Sequence, residues 1–406
     1  MLTKIKNSYF LIPLASLLGI LTGYLHYPLL IKGAHFISSL TMNFLQLIAA
    51  PLVFLSIFST LLGIDSFKEM KTLGRKAFFY TLITTVLAAG IALVLFLYVN
   101  PAKNSLITTS TATAPALSQN SYLSFLANIV PQNIVKAFLE NHVIGIAFIS
   151  ILLGIASAGL PKENKTSLHL FFSSCFQLLL KLTTYIVTLM PLAIWAFVTL
   201  LFHELQGNTA QFHSLFLYLG VVLGANLIQG FLVLPLLLKF KGLSPWKIFK
   251  GSSKALLLAF FSKSSNATLP VSLKCAETMG LSPKVAGVSL PLCTVINMNG
   301  CAAFILTTVL FVAQLHGVVF TMGDYGLWIL LATLAAIGNA GVPMGCFFLS
   351  STFLVGMGVP LTTLGIILPF YAFLDMVETS LNVWSDLCVT AVLDKDLKKK
   401  PLLVEG

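Results

Sequence analysis

Five polar residues fall on one face of an otherwise apolar segment near the C-terminus, about 364–394: Asp375, Glu378, Thr379, Asn382 and Asp386. Their offsets from Asp375 are 3, 4, 7 and 11; at about 100° per residue they project onto a stripe roughly 100° wide. Hydrogen bonding to neighbouring helices is one use for such a stripe. A carboxylate at the centre of a bilayer costs about 2.5–3.5 kcal/mol, however, so acids on an apolar helix point to a substrate or ion pathway. Asp375 and Glu378 are i, i+3 neighbours and repel each other unless something intervenes. One of the two carboxyls can stay protonated, Lys263 can pair with one of them, or a cationic group of a substrate can complete the site. Each solution gives a site whose charge changes with occupancy, as coupled transport requires.

Two interrupted apolar segments must position this stripe. Residues 255–273 carry Ser262-Lys263-Ser264-Ser265-Asn266-Ala267-Thr268-Leu269-Pro270 in their middle. Two arms of fewer than about ten residues are too short to cross separately, so a re-entrant hairpin is expected. The helix that follows, about 284–313, is interrupted at Asn297-Met298-Asn299-Gly300. The pattern then recurs: residues 327–361 are broken by Gly338-Asn339-Ala340-Gly341-Val342-Pro343, and the polar-striped helix comes next. In opposite orientations the two units form an inverted repeat, with a binding site where the broken elements meet. Two Pro-kinked spans without a ligand are the plainer alternative. Upstream, spans are expected at about 9–27, 36–64, 77–99, 141–160, 167–202 and 214–238. The second and fifth exceed a bilayer's needs, with Pro51 and Pro191 as candidate bend points.

The whole chain agrees with this picture. It has 406 residues, 57% hydrophobic and 9% charged, with a mean hydropathy of +0.94. Soluble domains carry roughly a quarter charged residues, so a cytosolic enzyme, a disordered chain and a disulfide-stapled secreted domain are excluded. Apolar runs of about 17–30 residues without alternation exclude a β-barrel as well. The net charge is +11, and Arg75 stands alone among 24 basic residues. Clusters such as Lys68, Lys71, Arg75 and Lys76, or Lys239, Lys241, Lys247, Lys250 and Lys254, lie between apolar runs. The positive-inside rule accounts for them without nucleic-acid binding. It places both termini in the cytoplasm and residues 101–127 and 203–213 outside a cytoplasmic membrane. Phe10 to Leu25 has the look of a signal peptide, but His26-Tyr27-Pro28 follows in place of a small-residue cleavage site, so a retained first helix is expected. The six cysteines show no C-x-x-C pairing and are expected to be small buried hydrophobes, with neither a metal site nor a disulfide frame.

At the motif residues the chain resembles the dicarboxylate/amino acid:cation symporter family, which includes the glutamate transporters. Ser264-Ser265-Asn266-Ala267-Thr268-Leu269-Pro270 is similar to the family's serine-rich first hairpin tip. Asn297-Met298-Asn299-Gly300-Cys301 is similar to N-M-D-G-T, and Asp375 to Asp386 to D-x-x-R-T-x-x-N-x-x-x-D. Ala340-Gly341-Val342-Pro343 matches as well; Pro51-Leu52-Val53-Phe54 and Thr84-Thr85 match more weakly. The resemblance implies an all-α polytopic fold of eight transmembrane helices plus two re-entrant hairpins, a homotrimer, and alternating access by an elevator movement. Residues 1–76 and 101–213 would be scaffold and extracellular loop; 77–100 and 214–400 would form the transport domain, with 401–406 a tail. Asp375 would hold a substrate ammonium, Asn382 its α-carboxylate, and Thr379 would add a hydroxyl. Ser264, Ser265 and Asn266 from one tip, and Val342, Pro343 and Gly345 from the other, would close over the substrate beside Cys301 and Glu378. Asn382 and Asp386, with backbone oxygens of the Asn297 region, would hold one Na⁺; Thr84, Thr85, Asn297 and the Asn299 position would contribute to another. No cofactor beyond Na⁺ and/or H⁺ is implied.

The departures bear on the substrate. Members that move acidic substrates carry an arginine at the Glu378 position, where it forks onto the distal carboxylate. Two carboxylates about 6 Å apart repel by roughly 3 kcal/mol at an effective dielectric near 20. An ionised Glu378 therefore favours a neutral or cationic amino acid; an acidic amino acid or C4-dicarboxylate remains open with Lys263 as the charge partner. Asn299 and Cys301 replace an aspartate and a threonine, and Val295 stands where a hydroxyl is usual, so fewer Na⁺ per cycle or partial replacement by H⁺ is expected. An anion-conducting channel is the rival class. An enzyme is rejected, because Asp375 and Asp386 lie about 16 Å apart along one helix, too far to share a proton.

Overall fold

The computed structural model describes residues 2–63, 67–103, 130–139, 143–204, 209–339 and 344–398, and these contain helices and connections but no strand. Helices α1 (Leu2–Leu25), α2 (Pro28–Leu62) and α3 (Phe67–Val99) open the chain, and Pro51 lies within an uninterrupted α2. After α4 (Ile134–Leu139) and α5 (Val143–Ala156) come α6 (Lys162–Thr188) and α7 (Met190–Glu204). The expected single span 167–202 is thus two helices. The chain breaks at Leu189, two residues before Pro191, because proline lacks the N–H that would continue the ladder. α7 leaves α6 to pack along α1, where Gly19 and Gly23 admit Val198 and Phe202, and Thr22 Oγ1 meets Thr199 Oγ1 at 2.6 Å.

The second half is built from broken elements. Helix α8 (Thr209–Ile228) runs through a π-helical turn, Gln229–Val233, into α9 (Leu234–Phe240). α10 (Pro245–Ser262) and α11 (Ser265–Thr278) pack against each other and meet at Lys263 and Ser264. The arms are 18 and 14 residues, longer than the sequence reading allowed. Lys247, Lys250 and Lys254, expected to lie between apolar runs, are exposed residues on α10 itself. α12 (Pro283–Ile296) and α13 (Asn299–Leu315) are separated at Asn297 and Met298 as expected. α14 (Met322–Gly338) and α15 (Gly345–Gly356) flank the second break and touch through Trp328 and Phe353, whose rings lie 5.2 Å apart. α16 (Thr362–Lys398) closes the fold.

Among the described residues, four stretches are long and apolar enough to cross a membrane: Leu73–Val99, Phe212–Phe240, Pro283–Leu315 and Thr363–Lys398. Their burial differs in a way that locates the centre. The most apolar window of Pro283–Leu315 is 94% buried, against 39% for Leu73–Val99. α12 and α13 are therefore the axis, wrapped by α3, α8, α14, α15 and α16. Exposed apolar residues such as Leu17, Leu21, Phe36 and Leu47 line the outside of α1 and α2, a surface suited to lipid.

Candidate functional site

All five members of the α16 stripe are buried, with exposures between 1% for Glu378 and Asp386 and 6% for Thr379. What faces them is the break between α12 and α13. Asn297 and Met298 both leave helical geometry (φ −102° and −104°, ψ 65°), so α13 starts afresh in the middle of the fold. Its first-turn N–H groups have no intrahelical partner. Asn382 supplies one: its Oδ1 accepts from the Gly300 N–H at 2.9 Å. Gly300 is required by the approach of α16, because a Cβ there would lie 2.9 Å from the Glu378 Cα and 3.1 Å from Asn226 Oδ1.

One turn further along, the Asn297 amide joins three helices. Its Nδ2 donates to Asp386 Oδ1 at 2.9 Å, while its Oδ1 lies 3.2 Å from the Thr84 hydroxyl and 3.3 Å from that of Ser385. Asn299 Nδ2 also donates to Ser385 Oγ. Thr85 turns its hydroxyl back to Thr81 O at 2.7 Å on its own helix, so the structure joins Thr84 and not Thr85 to Asn297. Gln229, at the head of the π-helical turn, donates from Nε2 to Thr84 O at 3.0 Å. Local π geometry of this kind recurs at functional sites.

The two breaks flanking the axis converge on Asp375. Lys263 caps α10 in the left-handed conformation (φ 54°), and its ammonium interacts electrostatically with the Asp375 carboxylate. Met344, also left-handed (φ 63°), precedes α15 and turns its backbone N–H to the same carboxylate. Tyr371 OH donates to Asp375 Oδ1 at 3.4 Å, and Thr379 Oγ1 donates to the Asp375 backbone oxygen at 2.7 Å. Ser264 caps α11 by accepting from the Ala267 N–H at 3.3 Å; Ser265 is buried beside it and Asn266 is half-buried. Val342 and Pro343 lie outside the described residues. Gly345 is packed so tightly against Asn339 that its Oδ1 occupies the place of a Cβ.

Cys301 and Cys346 come from α13 and α15, and their sulfurs lie with a Glu378 oxygen within 4.8 Å of one another. Both cysteines are buried and free, as the sequence led one to expect, and the fold in addition brings them together. Asn226, Gln229, Asn339, Cys346 and Ser385 were not anticipated as site residues. Asn226 and Gln229 were legible by the same i, i+3 logic as the stripe, since they are a polar pair in the apolar run 214–238.

The arrangement has a consistent chemical bias. Among the described residues, the buried polar side-chain atoms without a partner are Asp375 Oδ2, both Glu378 oxygens, Asp386 Oδ2, the amide oxygens of Asn226, Gln229, Asn299 and Asn339, and Ser272 Oγ. Apart from Ser272, all are acceptor oxygens, whereas the amide nitrogens of the same four residues are bonded. Buried acceptors are ordinarily satisfied. A fold that pairs its N–H groups and leaves carboxylate and amide oxygens unpaired offers hard ligands to a cation.

Comparison with known proteins agrees with this chemistry. A C4-dicarboxylate transport protein 2 from Mesorhizobium japonicum is 26% identical over 95% of this chain and 88% of its own length. The proton/glutamate-aspartate symporter of Escherichia coli is 25% identical, covering 94% of this chain and 91% of the relative. Neutral amino acid transporter B(0) of Oryctolagus cuniculus is 27% identical over 86% of this chain and 71% of its own. The model of the sodium:dicarboxylate symporter family matches residues 9–396, and the chain belongs to that family.

Proposed function

We propose that the protein is a secondary active, cation-coupled symporter of an amino acid in a cytoplasmic membrane, with a neutral or cationic substrate. The observation that carries this reading is the set of unpaired acceptor oxygens buried around the α12–α13 break and the two tips. Asp375 takes the substrate ammonium, Asn382 and the Gly300 N–H orient its carboxylate, and Thr379, Ser265, Cys301 and the tip at Val342 to Gly345 complete the enclosure. Asp386, Asn382, Asn297 and Thr84 hold the coupling cation, Na⁺ and/or H⁺. Lys263 lies within electrostatic reach of Asp375, and no cation acts on Glu378 among the described residues. An ionised Glu378 therefore prefers a neutral or positive side chain.

The broken pairs α10–α11 and α14–α15 serve as re-entrant gates in a fold of eight spans. Residues 77–100 and 214–400 move as an elevator against a scaffold that assembles a homotrimer, and both termini face the cytoplasm. A second reading, uptake of an acidic amino acid or C4-dicarboxylate, draws on Lys263 at the site and on the names of two relatives. An anion channel is the remaining class.

Uptake by proteoliposomes under separate Na⁺ and H⁺ gradients tests the proposal. The expected result is saturable accumulation of neutral or basic amino acids above the external concentration. A channel cannot concentrate its solute, so flux that only equilibrates would refute symport. Unchanged flux when choline replaces Na⁺, with collapse when the proton gradient is removed, would refute the sodium component.

A further inference from the structure

The thiols of Cys301 and Cys346 and the carboxylate of Glu378 meet in the protein interior, although 45 and 32 residues separate them in sequence. Their exposures are 3%, 1% and 1%, and both thiols are free. No backbone, amide or hydroxyl group donates to either Glu378 oxygen, so this buried carboxylate faces the two sulfurs alone. The surroundings are arranged to donate toward sulfur: Asn339 Nδ2 lies 2.9 Å from Cys301 Sγ and 3.4 Å from Cys346 Sγ, and Asn382 Nδ2 lies 3.4 Å from Cys301 Sγ.

We propose that Cys301, Cys346 and Glu378 form a binding site for a thiophilic divalent cation of the Zn²⁺ and Cd²⁺ class. Soft thiolates select such ions and discriminate against Na⁺, which the oxygen-lined region beside them suits. The geometry is close to what is needed. Bonds of about 2.3 Å to sulfur and 2.0–2.2 Å to oxygen place tetrahedral ligands about 3.5–3.8 Å apart. A set spread over at most 4.8 Å needs to contract by only about an ångström. Two sulfurs and one oxygen leave the fourth tetrahedral position open. The charge balance also suits a membrane interior: two thiols release two protons as one divalent ion enters, so no net charge is added. The Asn339 and Asn382 amides then stand behind the sulfurs as supporting donors, the outer contacts that orient metal ligands elsewhere.

Because Cys346 lies on α15 while Cys301 and Glu378 lie on α13 and α16, the ion ties α15 to both of those helices. Binding of the ion does not depend on the symport reading. The test is titration of the purified full-length protein with Cd²⁺ alone, followed by the ultraviolet sulfur-to-cadmium charge-transfer band and by equilibrium dialysis. One Cd²⁺ per chain with a charge-transfer band is expected. Cys301→Ser and Cys346→Ser should abolish the band, and Glu378→Gln should weaken binding. Asn339→Ala should weaken it by about 10–100-fold, the usual effect of losing a supporting contact. Cys275→Ser, on α11, should bind as the parent does. Thermal unfolding of each variant without metal establishes that it is folded, and Cd²⁺ should raise the melting temperature of the parent but not of the Cys301→Ser, Cys346→Ser pair. Absence of the band in the parent, or its survival in the folded double variant, would overturn the site.

Discussion

Replacing Glu378 isolates the residue on which substrate choice is argued to turn. Glu378 and Asp375 are one turn apart on α16, with Cβ atoms about 5–6 Å apart, and both are buried. A substrate charge placed about 6 Å from an ionised Glu378 interacts with it, at an effective dielectric near 20, by roughly 3 kcal/mol, about two decades in affinity. A substrate with a basic side chain over Glu378 gains this attraction, and an acidic one meets it as repulsion. Glu378→Gln keeps the shape and removes the charge. A neutral substrate loses at most a hydrogen bond worth about 0.5–1.5 kcal/mol, whereas a basic one loses the full attraction. The ratio of basic to neutral uptake should thus fall by about tenfold to a hundredfold. Glu378→Arg, run beside it, should exclude basic substrates and admit acidic ones. The assay is competition by unlabelled basic, neutral and acidic amino acids against labelled uptake in proteoliposomes. Unchanged ratios in both variants would remove the electrostatic basis for the substrate, while leaving family membership intact.

Three further outcomes test other parts of the structure. Gly300→Ala should destabilise by about 1–3 kcal/mol, since its Cβ meets the Glu378 backbone, whereas Gly287→Ala on an open face of α12 should not; equal melting temperatures would refute the close approach. Asn297→Ala removes the amide that donates to Asp386 and bridges to Thr84, and should weaken cation affinity by about ten- to a hundredfold in a Na⁺ titration of substrate binding; an unchanged Na⁺ midpoint would exclude Asn297 from the cation site. His316, just past the end of α13, meets Thr363 at 2.9 Å, and burial holds its imidazole below the ordinary value. The unfolded chain binds this proton more readily, so stability is intact above about pH 6.5 and declines as the pH falls through the folded value. His316→Gln should flatten that decline in melting temperature, and an identical pH slope would refute the assignment.

What the sequence disclosed depended on whether the signal was periodic or tertiary. The α16 stripe was legible because charge is scarce in this chain, so polar residues at helical spacing stand out, and all five are buried. The break at Asn297 was legible from the polar interruption of an apolar run, and the tip at Ser264 likewise. The hairpin arms were under-measured because Lys247, Lys250 and Lys254 read as lying between apolar runs, whereas an amphipathic helix carries them on its exposed side. The break at Leu189 was foreseen only as a bend near Pro191. Nothing local brings Cys301, Cys346 and Glu378 together; that depends on how three separate helices pack.

The most direct test is calorimetric titration of the purified protein with a neutral or basic amino acid, in Na⁺ and in choline, for the parent chain and for Asp386→Asn. If one buried enclosure holds amino acid and cation together, substrate should bind tightly in Na⁺, weakly in choline, and with little Na⁺ dependence in the variant. Substrate affinity that is the same in both salts and in both proteins would contradict that picture.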